Sequence, residues 1–417
     1  MKTLKLMAIA LLLFGLHSET FAYPYDGYGI TGIRRLLRLQ LIMTGEIVDK
    51  KPVPGAQKTL AEIQLNLMGE RCDSLLKFPA PDPELQKSIN ALFPYMHESY
   101  SLCVLEITPG KPIRYANRQE KRAFMPGSVA KLAVIAGLFN ELQKLYPTSF
   151  EERQEVMKNR MVRAGKWANY DSHTAPFFNV ETYKYSKHVV TENDTCSLYE
   201  WADHMISASN NGAASIVWKE AILMHAFGAN YPPTTEQEAD FFKNTPKSEL
   251  KEMAMHVVND PLRDMGITKE EFKLGSMFTK DAKALVPGEG GTTASPYGLM
   301  KFLVAMESGE IVDPASSLEI KRLMYATDRR IRYAASTSLT DAAVYFKSGS
   351  QYKCKPEEGY ECKKYMGNVD NYMNSVVVVE QPNGTIYMVT LMSNVLKKNS
   401  ANDHFAIASQ IDKIIRK

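Results

Sequence analysis

The chain lacks an apolar run long enough to cross a bilayer: its leader-like stretch, Leu6 to Leu16, is eleven residues long, whereas a helical span needs roughly twenty. An excess of one charge is also missing. Fifty basic residues face 47 acidic ones, a net of +3, so no polyanion-binding field is expected and nucleic acid is not an expected partner. The eight histidines form no His-x-x-x-His pair and none clusters with cysteine at ligand spacing, so no metal and no cofactor is expected. No Gly-x-Ser-x-Gly elbow is present, which argues against an α/β-hydrolase. Nor is there a nucleotide-binding glycine fingerprint, an internal repeat or a low-complexity tract.

What is there fits an ordinary globular chain, with 45% hydrophobic and 23% charged residues over 417 positions. Lys2 and Lys5, the Leu6–Leu16 run and then Thr20-Phe21-Ala22 have the layout of a secretory signal peptide, so residues 1–22 read as a leader and Tyr23 as the mature start. The rival reading is a retained anchor, which so short a run does not favour, and no stable transmembrane anchor is expected. Loss of Lys2, Lys5 and Glu19 with the leader lowers the net charge by one. The expected location is periplasmic or secreted, where disulfides form. Cys354 and Cys362 flank the turn-rich Lys355-Pro356-Glu357-Glu358-Gly359 and are expected to close that loop; two unpaired thiols are the alternative. Cys103, inside the strand-like Ser101–Ile107, reads as a buried small hydrophobe. A Cys72–Cys196 pairing stays open.

Residues 23–82 read as an N-terminal extension whose role the sequence does not assign, ending in the hinge Ala80-Pro81-Asp82-Pro83. A helix is expected from Pro83 to about Leu92. Ser101–Thr108 and Pro112–Ala116 are β-rich around the Pro109-Gly110 turn. From Ser128 to about residue 290 the apolar spacing is three and four, as in Leu132–Leu145 and Leu198–Met224, which predicts an all-helical lobe. Helices over Pro296–Glu307 and Pro314–Tyr325, a strand over Ala342–Lys347, an Asn383-Gly384 hairpin joining Val376–Glu380 to Thr385–Met392, and a helix over His404–Ile415 complete the pattern. Together these predict an α+β fold in which both ends of domain 83–417 meet in one sheet.

Three short motifs occur in order: Ser128-Val129-Ala130-Lys131, Ser209-Asn210-Asn211 and Lys347-Ser348-Gly349. The first two spacings recur elsewhere, at Ser74–Lys77, Ser248–Lys251 and Ser350–Lys353, and at Ser88–Asn90 and Ser400–Asn402. Taken alone, Ser128 and Lys131 would be a helix cap and a solvated lysine. However, only Ser128 follows a Pro-Gly turn and opens a helical run, which places its hydroxyl and the Lys131 amine one turn apart. A serine needs a base within hydrogen-bond reach to become a nucleophile. Lys131 is the expected base, its proton affinity lowered by burial and by Lys347. The backbone N–H groups of Ser128 and Ser350 are the expected oxyanion donors.

The three motifs, with Thr292-Thr293-Ala294-Ser295-Pro296 and Arg330-Ile331-Arg332 around them, resemble the penicillin-recognising serine enzymes, in particular the class A β-lactamases and penicillin-binding proteins. The resemblance covers the chain from about Pro83 onward. It implies an antiparallel sheet flanked by helices, with the site between sheet and helical lobe. It further implies that Ser128 attacks the carbonyl, Lys131 takes the proton, Ser209 relays a proton to the leaving nitrogen, Asn211 holds the substrate amide, and Lys347 and Ser348 bind its carboxylate, with Gly349 and Ser350 completing the strand beside it.

One element of the β-lactamase pattern is missing. The glutamate that positions the deacylating water, followed by asparagine, is not found in Phe278–Thr293, where Asp281 and Glu289 are the sole candidates. A D,D-peptidase-like, penicillin-binding enzyme acting on peptidoglycan stem peptides is therefore the expected function. The alternatives are a β-lactamase and a noncatalytic cell-wall or β-lactam-sensing module. Phe227–Asp260 reads as an insertion with its own helix, and the aromatic and histidine-rich stretch Trp167–Tyr185 is left unassigned. The oligomeric state is not legible.

Overall fold

In the computed structural model, residues 25–73, 75, 77–325 and 330–417 are described, so the expected signal peptide lies outside them. Five strands form one antiparallel sheet: β1 (Ser101–Glu106), β2 (Arg114–Arg118), β3 (Ala343–Lys353), β4 (Asp370–Glu380) and β5 (Ile386–Asn394). Their order is β2-β1-β5-β4-β3, which puts an N-terminal hairpin beside the C-terminal one and leaves β3 at an edge. The helices of eight or more residues are α1 (Arg34–Thr44), α2 (Pro83–Asn90), α3 (Lys131–Leu145), α4 (Phe150–Asn159), α5 (Leu198–Ile206), α6 (Asn211–Phe227), α7 (Thr235–Asn244), α8 (Lys247–Asp264), α9 (Pro296–Glu307), α10 (Pro314–Met324) and α11 (Ala401–Ile415).

The period-2 alternation of the strands divides the core in two. Val376 and Val378 of β4 and Met388 and Met392 of β5 join a core with the helical lobe, while Val377, Val379, Val389 and Leu391 pack on the other face against Leu85 and Ile89 of α2 and Ile407 and Ile411 of α11. The architecture is the α+β one that the pattern predicts. The lobe, however, is not all helical. It carries short ladders of Met161–Arg163 with Thr195–Ser197 and of Thr174–Phe178 with Tyr185–Val189. These ladders are too short to leave a periodicity of their own.

The chain before Pro83 lies on this body. Leu36 and Leu39 of α1 enter the lobe-side core, and Arg35 forms a buried ion pair with Asp203 of α5 at 2.5 Å. Further along, Asn66 and Lys321 meet Glu307 and Glu380 at the end of the sheet. Within Phe227–Asp260, α8 is core rather than appendage: a Cβ on Gly137 of α3 would stand 2.3 Å from the Val257 carbonyl oxygen, so the two helices touch through backbone. Cys354 and Cys362 form a disulfide. Cys103 and Cys196 are buried free thiols, and the side chain of Cys72 lies outside the described residues.

Candidate active site

The turn before α3 sets the first pair of groups. Gly127 has φ +55°, a left-handed conformation that favours glycine. Gly127–Ala130 then forms a tight 3-10 turn, and regular helix begins only at Lys131. Across that turn Lys131 Nζ lies 2.9 Å from Ser128 Oγ. The same Nζ donates to the Ser209 carbonyl at 2.7 Å and to Asn211 Oδ1 at 2.7 Å. Both carbonyl oxygens can only accept, so an uncharged amine would use its hydrogens on them and turn its lone pair to the Ser128 hydroxyl. Lys131 is fully buried, whereas Ser128 is partly exposed.

Ser209 and Asn211 come from the corner between α5 and α6. Ser209 has φ +60°, a strained conformation for a non-glycine residue, and it aims its carbonyl at Lys131 and its hydroxyl at Lys347 Nζ, 2.8 Å away. Asn210 caps α6 by accepting from the Ala213 N–H at 2.7 Å. Asp171 fixes the next residue: it accepts from the Asn211 N–H at 2.6 Å and from Asn211 Nδ2 at 3.2 Å, which orients the amide with Oδ1 toward Lys131. Burial pushes the Asp171 carboxyl up, but hydrogen bonds from His173 and the Asn211 N–H hold it below the ordinary carboxylate range.

The edge strand β3 supplies the third group of residues. A Cβ on Gly349 would stand 2.0 Å from the Pro126 carbonyl oxygen and 3.0 Å from Ser128 N, and one on Gly127 would stand 2.8 Å from Ser350 N. Two glycines thus let strand and turn meet through backbone, which brings the N–H groups of Ser128 and Ser350 to one rim. Asn374 on β4, opposite Gly349, ties the turn down by donating to the Met125 carbonyl at 3.0 Å. Lys347 is 1% exposed, with its Nζ 2.8 Å from Ser209 Oγ and 3.2 Å from the Ser348 carbonyl oxygen, and it meets the cleft only behind these two residues.

These residues border a cavity of about 270 Å³ lined by Ser128, Ser209, Asn211, Ser348, Gly349 and Ser350. Sequence reading missed several others there. Arg332, in a left-handed conformation at φ +53°, donates to the Gly349 carbonyl at 2.9 Å and to Ser350 Oγ at 3.0 Å. His173, Phe278 and Tyr365 also line it, and the Phe278 ring centre is 5.2 Å from Lys131 Nζ. The Arg330-Ile331-Arg332 triplet was a visible signal for the first; the others carry no spacing. No Asp or Glu lines the cavity among the described residues. Asp281 instead accepts from Asn169 at 3.0 Å, and Glu289 faces a separate surface hollow beside His256 and Asp260.

Residues 249–415 match the model of the Beta-lactamase enzyme family. No curated protein matches the chain in sequence. Among solved structures, a β-lactamase from Chitinophaga pinensis DSM 2588 is similar with a TM-score of 0.51 at 14% identity, over 79% of this chain and 97% of that one. A representative of class A β-lactamase from Bacteroides cellulosilyticus DSM 14838 gives 0.50 at 14%, over 81% and 98%. The TLA-1 extended-spectrum β-lactamase gives 0.51 at 14%, over 80% and 98%. What is shared at this identity is the fold. Among the described residues no helix is long and apolar enough to cross a membrane, and no group of His, Cys, Asp and Glu could hold a metal ion.

Proposed function

We propose, from the premise that this chain is a β-lactamase-like serine hydrolase in fold and family likeness, that it is an exported acyl-transfer enzyme. Its expected substrates are peptides of the D-alanyl-D-alanine type, and penicillins acylate it at the same residue. The observation that carries the reading is the 2.9 Å contact between Lys131 Nζ and Ser128 Oγ, with Nζ anchored on two carbonyl oxygens. In the first step Ser128 Oγ bonds to the substrate carbonyl carbon and its proton passes to Lys131. The oxygen that gains charge is held by the N–H groups of Ser128 and Ser350. As the C–N bond breaks, the proton taken up by Lys131 is passed to the leaving nitrogen by way of the Ser209 hydroxyl, which Lys347 orients, and Lys131 returns to the neutral amine. The substrate carboxylate lies against Ser348 and Arg332, whose planar fork suits that group.

Release of the acyl group distinguishes a penicillin-binding peptidase from a β-lactamase. The cavity is lined by no carboxylate among the described residues, and the Phe278 ring stands beside Lys131, so a water held there has no anionic base. This favours a long-lived penicillin adduct. A β-lactamase is the second reading, supported by the names of the fold neighbours, but fold alone does not set activity. Intact-mass measurement after mixing with benzylpenicillin separates the two. A persistent adduct on the wild type that is absent from Ser128→Ala is expected; rapid drug turnover moves the assignment to β-lactamase, and labelling that survives Ser128→Ala removes the nucleophile.

A further inference from the structure

A second cavity lies in the helical lobe, away from the nucleophile. At about 870 Å³ it is larger than the catalytic one and shares no lining residue with it. One face of α7 forms a wall: Glu238, Ala239, Phe242 and Lys243 recur three and four apart, the spacing of a single helix stripe. Trp167 closes the floor with Phe242, edge to face at 4.9 Å, and Met161, 53% exposed, leaves apolar surface at the mouth. Six cations line the cavity: Arg160 and Lys219 are paired with Glu220 and Glu238, and Arg163, Lys166, Lys243 and Lys247 stand around the apolar interior. Arg163 donates to neutral acceptors, the Glu192 carbonyl at 3.1 Å and Asn193 Oδ1 at 2.6 Å, and Lys247 donates to the Leu285 carbonyl at 2.5 Å. Of the two carboxylates in the lining, Glu238 pairs with Lys219, also a lining residue, at 2.7 Å, and Glu192 accepts from Asn169 at 2.6 Å.

An aromatic floor under a rim where six cations outnumber two carboxylates is complementary to one kind of ligand. We propose that this cavity is a binding site for a small amphipathic anion, with a flat apolar body on Trp167 and Phe242 and a single anionic group at the lysine rim. The site is independent of acyl transfer, so it stands or falls apart from the reading of Ser128.

The probe is 8-anilinonaphthalene-1-sulfonate, which has an aromatic body and one sulfonate, added to the full mature protein. A single saturable equivalent is expected, with energy transfer from tryptophan that drops in Trp167→Phe while Trp201 and Trp218 remain. Lys166→Gln with Lys243→Gln changes two exposed side chains and should weaken binding about tenfold at low salt. The uncharged analogue N-phenyl-1-naphthylamine should bind the wild type more weakly by a similar factor. The proposal is overturned if no saturable binding occurs, if the double variant or the uncharged analogue binds as tightly, or if acylation by benzylpenicillin displaces the probe, which would place it in the catalytic cleft.

Discussion

The Ser209 hydroxyl accepts from Lys347 Nζ at 2.8 Å across the cleft, joining the helical lobe to the edge strand of the sheet. The proposed proton relay to the leaving nitrogen would depend on this bond, and it is held by a serine in a left-handed conformation. Ser209→Ala keeps the backbone and deletes the relay, so the rate of acylation by benzylpenicillin should fall by about 10²-fold with little change in melting temperature. Ser209→Gly should be as inactive yet more stable than Ser209→Ala by about 1 kcal/mol, because glycine adopts φ +60° without strain. Stopped-flow acylation and urea unfolding of the pair check both halves. Equal stability of the two variants would deny that strain is stored there.

Lys131 is expected to act through its lone pair, not its charge. Lys131→Arg retains a cation but cannot become a neutral base, and should lose acylation by at least about 10³-fold. Lys131→Met, similar in length and uncharged, should fall as far while still binding a D-alanyl-D-alanine peptide. Recovery of activity in the arginine variant would show that a cation suffices.

The residues visible in advance were those with motif spacing. Ser128 and Lys131 are one turn apart in sequence and in space, and Lys347-Ser348-Gly349 lies on a strand that opens with the continuous apolar run Ala343–Phe346. His173, Phe278, Arg332 and Tyr365, which also line the cavity, come from separate segments outside the three motifs. Apart from the Arg330-Ile331-Arg332 triplet, nothing local marks them, because what places them is long-range packing and, for Arg332 and Tyr365, a left-handed backbone that no propensity predicts. The short ladders of the lobe were missed for a related reason. Three-residue pairings such as Met161–Arg163 with Thr195–Ser197 are fixed by the helices around them.

Phe278 offers a test of why the acyl-enzyme should persist. Its ring lies on the cavity wall 5.2 Å from Lys131 Nζ, where a water attacking the ester would need a base. Phe278→Glu introduces a carboxylate beside that amine and should shorten the lifetime of the benzylpenicillin adduct by about tenfold or more, with Phe278→Gln as the uncharged control. Time-resolved intact mass reads the lifetime directly. An unchanged lifetime would mean that deacylation is limited by something other than a missing base.

Gly349 is a packing requirement as well as a motif residue. An added methyl would meet the Pro126 carbonyl oxygen at 2.0 Å, backbone against backbone, with no flexible side chain to yield. Gly349→Ala should therefore cost about 3 kcal/mol and separate strand from turn, so that acylation falls even where the variant stays folded. Its neighbour Ser350→Ala keeps the backbone N–H and should retain most of the activity. Chemical denaturation and acylation rates measured on both variants check the contrast.

The pH dependence of stability should carry the signature of one histidine. His404 is fully buried between Ser375 Oγ at 2.9 Å and Ser393 Oγ at 3.2 Å, and burial, reinforced by the charge of Arg332, lowers its pKa to about 3. An unfolded histidine titrates near 6.5. Between those values the unfolded chain binds a proton that the folded chain refuses, so stability is full above about pH 6.5 and declines as pH falls through the window, by about 1.4 kcal/mol per pH unit from this group alone. The loss levels off below pH 3, where the folded state is protonated too. His404→Gln preserves hydrogen bonding but cannot titrate, so its unfolding free energy between pH 6.5 and 4 should be flatter than that of the wild type by one proton's worth of slope. Parallel urea titrations across that range measure the difference; two curves of identical slope would show that His404 already carries its proton in the folded chain.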